Sequence, residues 1–263
     1  SSVEVKDSML RKSSALVLQL GSLLKENFGP ATTLSMFGST VYGCATVDSD
    51  LDLTFCIGDQ EMDVETKRKV LKKLSRVLRC RMDFQCFPIL RCRVPLIKIE
   101  NKNTDVKADL SVGNFAPMSQ AKLLQQYSSM DPRFRKLAIL IKHWSRTRDI
   151  NDGSNLINSF CYCLLVLHFC QRVEPPVLPI LSQVKLVHSG GLNFSIGDDI
   201  RQDCKVGGRV DWVSQNEKSV SELLGSFFKY YAQEFDWKET VVTVSNEKPL
   251  LKSDVQWREG QGQ

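Results

Sequence analysis

Phe37-Gly38-Ser39, followed after ten intervening residues by Asp50-Leu51-Asp52-Leu53, is the stretch on which the reading of this 263-residue chain turns. From residue 50 to 57 the side chains alternate, Asp50, Asp52 and Thr54 against Leu51, Leu53 and Phe55. That alternation predicts a β-strand with one polar and one apolar face. Residues two apart on a strand point the same way, so Asp50 and Asp52 can bind ions side by side. An Asp-x-Asp pair by itself more often marks solvated acids on an exposed strand. The loop before it changes the reading. Gly38 permits a tight approach of the main chain, and Ser39 offers a hydroxyl and an amide, which are the parts needed to grip a phosphate.

A third acid is available in Val106-Lys107-Ala108-Asp109-Leu110-Ser111. A strand there turns Val106, Ala108 and Leu110 inward and leaves Asp109 on the polar side. Three carboxylates on neighbouring strands can hold two Mg²⁺ ions about 3.5–4 Å apart. Mg²⁺ usually takes a few carboxylates and completes its shell with substrate phosphates and water, so Asp50, Asp52 and Asp109 suffice.

Outward from these acids, the apolar spacing predicts a helix over 8–28, stopped by Gly29-Pro30, and a basic helix over 65–78. Strands are expected at 83–87, 94–100 and 106–112. The second half changes character. Helices are expected at 120–127, at 132–148 with Asp131 as N-cap and Pro132 at the first position, at 154–172, and at 220–235. Pro175-Pro176 and residues 189–208 read as loop. The fold class is therefore α+β. The composition shift near residues 117–120 divides the chain into a sheet domain, 1–118, and a mainly helical domain, 119–263. A cleft between two such domains is a natural ligand site.

The bulk numbers bound the class of protein. With 42% hydrophobic and 25% charged residues the chain reads as an ordinary globular protein. Its formal charge of +5 is a mild bias towards a polyanionic partner. Nine cysteines without a C-x-x-C pair speak against a disulfide framework or a structural zinc site and for free thiols in a reducing compartment. No apolar run reaches the roughly 18–20 residues of a membrane span, so an intracellular protein is expected.

The stretch from Phe37 to Leu53 resembles the signature of the DNA polymerase β nucleotidyltransferase superfamily, and within it the noncanonical poly(A) polymerase and terminal uridylyltransferase branch. The resemblance implies a polymerase β-like nucleotidyltransferase sheet domain joined to a helical poly(A)-polymerase-associated domain. It makes Asp50 and Asp52 metal ligands and Asp109 the third catalytic acid, with Mg²⁺ (Mn²⁺ as a substitute) as cofactor. Asp48 falls outside the motif and reads as a loop acid.

In the helical half, Lys142 and Arg146 lie four apart and so share one helix face, which by itself reads as a solvated basic face. Ile141-Lys142-His143-Trp144 is similar to the family's K-x-W segment, in which the Lys and a second base four residues on bind phosphates. Arg146 stands where many relatives carry Lys, and its forked guanidinium suits a phosphate. His143 is read as structural. Asn158-Ser159-Phe160 resembles the segment whose Ser contacts phosphate and whose aromatic residue stacks on the base. Here Phe160 replaces the usual Tyr. Relatives often place Asn-Thr where this chain has Gln120-Ala121, so only Gln120 can bond the ribose, and Asn114 falls where relatives put a polar base contact. Residues 223–236 resemble the poly(A)-polymerase-associated helix. Asp254-Val255-Gln256-Trp257 is a loose match to the acidic segment that lines the base pocket, with no histidine near it.

The resemblance implies transfer of a nucleoside monophosphate to an RNA 3′-hydroxyl with release of pyrophosphate. UTP is the expected donor, by similarity to the minimal kinetoplastid uridylyltransferases, with a mitochondrial or cytoplasmic setting and a protein complex supplying RNA specificity. A GLD-2-type enzyme using ATP is the alternative within the family. An inactive nucleotidyltransferase fold serving as an RNA-binding scaffold is the alternative outside it, disfavoured because all three acids are present.

Overall fold

The computed structural model describes residues 7–58, 62–151, 156–181 and 212–255. They fall into two compact units, one ending at Gln125 and the other beginning at Gln126. The helix that contains this division is α3, Ala116–Met130.

In the first unit, α1 (Asp7–Phe28) is followed by β1 (Thr32–Phe37), β2 (Leu51–Ile57), α2 (Val64–Arg79), β3 (Phe84–Ile89), β4 (Leu96–Asn101) and β5 (Val106–Val112). The strands form one sheet in the order β1-β2-β5-β4-β3. The β2–β5 pairing is parallel and the other three are antiparallel. One face of the sheet is apolar because the inward positions alternate. Leu51, Leu53 and Phe55 of β2, Ile97 and Ile99 of β4, and Val106, Ala108, Leu110 and Val112 of β5 pack on Leu16, Leu20, Leu23 and Leu24 of α1 and Leu71, Leu74 and Leu78 of α2. The α1 set recurs at i, i+4, i+7 and i+8, which is the stripe an amphipathic helix presents to a core. Both helices therefore cover one face of the sheet, and the opposite face carries Asp52, Lys98 and Asp109.

Strand 83–87 of the sequence reading becomes Phe84–Ile89. Asp83 is held instead by Lys102, whose backbone N–H donates to its carbonyl at 3.0 Å, and by the Gln19 side chain. The strand continues through Pro88 because β3 is an edge, where a residue without an N–H leaves no ladder bond unmade.

In the second unit, α4 (Pro132–Thr147), α5 (Ser159–Arg172) and α6 (Val220–Lys229) are followed by a π-helical turn, Tyr230–Glu234, and a short pair, β6 (Thr240–Val241) and β7 (Leu250–Leu251). Asp131 caps α4 with Pro132 at its start, as expected. The helix expected from residue 154 starts at Ser159, because the Asn158 side chain accepts from the Cys161 N–H at 2.9 Å and ends the helix there. The last helix closes in the π turn, with Phe235 N–H donating to Tyr230 O at 2.8 Å. There His168, Tyr230, Tyr231, Phe235 and Trp237 form an aromatic cluster. The Tyr231 hydroxyl donates to Leu165 O, and His168 Nδ1 lies 2.9 Å from it. Burial pushes the His168 imidazole down to about 4, so it packs as a neutral ring. His143, read from sequence as structural, is exposed on α4.

The eight cysteines among the described residues are free; Cys44, Cys86, Cys163 and Cys170 are buried, while Cys80 and Cys161 are exposed at helix termini. The loop expected at 189–208, with Cys204, and the segment at Gln256-Trp257 lie outside the described residues.

Arg133 ties α4 to the approach to α6. Its Nε and Nη2 bond the Asp131 carboxylate at 3.0 and 2.6 Å, and Nη1 donates to Asn216 O and Lys218 O at 2.6 and 3.0 Å. Arg133→Met leaves the buried Asp131 charge and two carbonyls without this donor. Denaturant unfolding is expected to show a loss of about 3 kcal/mol, and an unchanged midpoint would mean that the pair is incidental.

Candidate active site

β2 ends its loop at Asp50 and opens with Leu51-Asp52, so Asp52 is the second residue of the strand. The parallel register then sets Asp52 directly opposite Asp109 of β5. The same row continues on both sides: Phe37 of β1 is the Cα partner of Asp52, Lys98 of β4 that of Asp109, and Phe87 of β3 that of Lys98. Side chains in one row across a sheet share a face, so two acids, a cation and two aromatic residues line up there.

Gly38 follows β1 with φ +73°, a conformation that disfavours any side chain. A Cβ at this position would lie 2.7 Å from Asp52 Cγ and closer still to Oδ2. The missing side chain is what lets the Asp52 carboxylate rest against the main chain. The loop beyond is tied down by its own backbone. Gly38 O accepts from Val41 N–H at 3.0 Å, Ser39 O accepts from Cys44 N–H at 2.9 Å, and Thr46 N–H donates to Ser49 Oγ at 2.9 Å. Tyr42, Cys44 and Thr46 are buried, which anchors the loop, while Asp48 is exposed.

The charges are unevenly balanced. Burial raises the Asp109 carboxyl above the usual carboxylate range, and the Asp50 charge pushes the same way. Lys98 opposes both, with Nζ 3.2 Å from Asp109 Oδ2. As the side chains stand, no three His, Cys, Asp or Glu among the described residues are gathered tightly enough to hold an ion. The donor set nonetheless fits a hard divalent cation. It consists of carboxylate oxygens alone, Asp52 and Asp109 on adjacent strands in register and Asp50 in the loop just before β2, with repulsion between Asp50 and Asp109 that a cation relieves.

Asn114 follows β5 by two residues, and its N–H donates to Thr54 Oγ1 at 3.1 Å, so the buried Thr54 fixes where the chain leaves the sheet. Gln120 is exposed on α3, whereas Ala121 is buried and belongs to the packing.

In the second unit, Lys142 and Arg146 lie on one face of α4; Lys142 is almost completely buried and Arg146 partly so. Ser159 at the start of α5 donates to Asn151 Oδ1 at 3.2 Å, and Asn151 Nδ2 donates to Ser145 Oγ at 2.9 Å. Ser145 in turn donates to Lys142 O at 3.0 Å. One chain of hydrogen bonds thus joins the start of α5 to the turn of α4 that carries Lys142. Phe160 is partly buried on α5.

Two residues escaped the sequence reading. Asn151 carried no motif. Lys98 was legible in principle, because the four-residue turn between β4 and β5 fixes the hairpin register and pairs it with Asp109.

A family model described as "Poly(A) RNA polymerase, mitochondrial-like, central palm domain" matches residues 1–129, and one described as "Cid1 family poly A polymerase" matches residues 219–263. Human terminal uridylyltransferase 4 is 26% identical over 253 residues, covering 92% of this chain and 15% of the relative. Poly(A) RNA polymerase GLD2-B of Xenopus laevis is 30% identical over 244 residues, covering 87% of this chain and 45% of the relative. The crystal structure of the Cid1 poly(U) polymerase matches with a TM-score of 0.79 at 25% identity, over 97% of this chain and 77% of that one. Other structures of Cid1 contain the UTP analogue UMPNPP, MgGTP and the short product ApU. The fold is that of the nucleotidyltransferases, and the chain belongs to the noncanonical poly(A) polymerase and terminal uridylyltransferase family. It spans less than half the length of the curated relatives it matches.

Gly38→Ala tests the geometry of the carboxylates. The strained φ is expected to cost about 1–2 kcal/mol of stability, read by thermal unfolding. The displaced Asp52 carboxylate is expected to weaken divalent-cation binding, read by Mn²⁺ titration. Undiminished binding would show that the close contact of residues 38 and 52 is dispensable.

Proposed function

We propose that this chain is the catalytic part of an RNA 3′-terminal nucleotidyltransferase that adds UMP from UTP without a template. The observation that carries this reading is the pairing of Asp52 with Asp109 beneath a glycine that has no room for a side chain. Asp50, Asp52 and Asp109 are the proposed ligands of two Mg²⁺ ions, in keeping with the MgGTP bound by the related Cid1 enzyme. When bound, the metal supplies Lewis-acid activation of the attacking 3′-hydroxyl and offsets charge on the departing pyrophosphate.

The chain's own residues bind and orient. Gly38 and Ser39 offer main-chain and hydroxyl donors to the triphosphate. Lys142 and Arg146 add two cations from one helix face, and Ser159 adds a hydroxyl whose direction is set by Asn151. Phe160 stacks on the base, an interaction worth about 1–3 kcal/mol for any base. Gln120 is assigned to the ribose and Asn114 to the base edge. Gly38, Ser39 and Asn114 fall in a proposed nucleotidyltransferase domain, residues 1–118, and Gln120, Lys142, Arg146, Ser159 and Phe160 in a proposed helical nucleotide-binding domain, residues 119–263.

ATP as donor is the second reading, since the GLD2-B poly(A) polymerase and human terminal uridylyltransferase 7 are equally similar to this chain, each at 30% identity. Uracil offers a carbonyl acceptor where adenine offers an amino donor, so a few polar contacts decide between them.

Extension of a labelled RNA with Mg²⁺ and either UTP or ATP tests both readings together. UTP is expected to extend the RNA about tenfold faster or more, and Asp109→Ala to abolish the reaction. The reverse preference would give the donor as ATP. Failure with all four nucleoside triphosphates would remove the enzymatic reading.

A further inference from the structure

The net charge of the chain is concentrated in one element. α2 carries Lys67, Arg68, Lys69, Lys72, Lys73, Arg76 and Arg79 against a single acid, Glu65. That is a net +6 on one helix of a chain whose total is +5, so everything outside α2 sums to −1. Three of these cations have structural employment. Lys67 Nζ donates to Gly113 O at 2.9 Å. Arg68 donates to Leu90 O at 2.9 Å and lies 3.5 Å from Glu65. Lys73 donates to Asn27 O at 3.0 Å and sits over the Phe28 ring.

Lys69, Lys72, Arg76 and Arg79 remain. All four are exposed, and none forms an ion pair among the described residues. Their spacing of three, four and three residues sets them on one stripe about 15 Å long. Like charges three and four apart repel along a helix. Arg76 and Arg79 also complement the C-terminal end of the helix dipole, but Lys69 and Lys72 stand well before the last turn and gain nothing from it. A solvated helix face ordinarily intersperses acids with its bases; this one has no acid after Glu65.

We propose that this stripe of α2 is a docking surface for the phosphate backbone of the RNA upstream of its 3′ end. The inference rests on the proposed action at RNA 3′ ends and adds a second contact to it. α2 packs on the sheet face opposite the one bearing Asp52 and Asp109. An RNA that touches both must pass an edge of the sheet, so a very short primer reaches the carboxylates alone. The contact is made to phosphates and is indifferent to sequence.

The test uses the full chain with Lys69, Lys72, Arg76 and Arg79 all replaced by Gln, beside a milder Lys72→Gln/Arg76→Gln variant should the fourfold change disturb folding. Circular dichroism checks the fold. Fluorescence anisotropy with a single-stranded RNA of thirty nucleotides and one of six, across a salt series, reads the contact directly and does not depend on turnover. The fourfold variant is expected to bind the long RNA at least tenfold more weakly and to flatten its logarithmic salt slope by about 3, with affinity for the short RNA unchanged. An unchanged long-RNA slope overturns the proposal, as does equal weakening for both lengths. Wild-type binding of polyglutamate lost in the variant while long-RNA affinity is kept would assign the stripe to an acidic protein and equally overturn it. If transfer fails with every nucleotide while the length-dependent loss of binding appears, the catalytic reading falls and the docking surface stands.

Discussion

The first unit depends on one constraint: β2 and β5 run parallel in a register that sets Asp52 against Asp109, while Gly38 leaves the space the Asp52 carboxylate occupies. A shift of one residue in either strand would turn its acid into the apolar core and bring a Leu or Ala to the polar face. The register is held from behind. Leu51, Leu53 and Phe55 on one strand and Ala108, Leu110 and Val112 on the other are all buried under α1 and α2. Hydrophobic burial on one side of the sheet thereby fixes the position of charge on the other.

That arrangement is electrostatically expensive, and the structure shows how it is offset. Asp109 is partly buried and feels the Asp50 charge, both of which favour its neutral form, and Lys98 on the neighbouring strand restores part of the balance. A cation bound by the acids would perform the same service more strongly. The ammonium and the proposed metal thus address one need, the neutralisation of carboxylates crowded by the sheet's own spacing. The excess positive charge of α2 lies on the other side of the same sheet, away from these acids.

Much of this was legible in the sequence. The alternation from Asp50 to Phe55 gave the strand and its faces, the Asp109 segment gave its neighbour, and Gly38-Ser39 separated a site from an ordinary acidic strand. Asp131-Pro132 marked the start of α4 because capping is a local property. What depended on pairing was harder to read. Lys98 becomes meaningful only once β4 is laid beside β5, and the extension of β3 through Pro88 required knowing that this strand is an edge. Asn151 carries no motif; its role comes from folding Ser145 and Ser159 to within hydrogen-bond reach of one amide. The shortened start of α5 was foreshadowed by Asn158, a good N-cap that the apolar pattern outweighed. Ala121 cannot bond a ribose, and it is a core residue on the buried face of α3.

The central claim is that the strand register brings Asp52 and Asp109 together, with Asp50 just ahead of β2, as the proposed site of two divalent cations. Electron paramagnetic resonance of Mn²⁺ titrated into the metal-free protein, without nucleotide or RNA, tests it most directly. The account predicts saturable binding that is lost in Asp52→Asn and Asp109→Asn and retained in Asp48→Asn, since Asp48 is an exposed loop acid. Equal binding in all four proteins would contradict it.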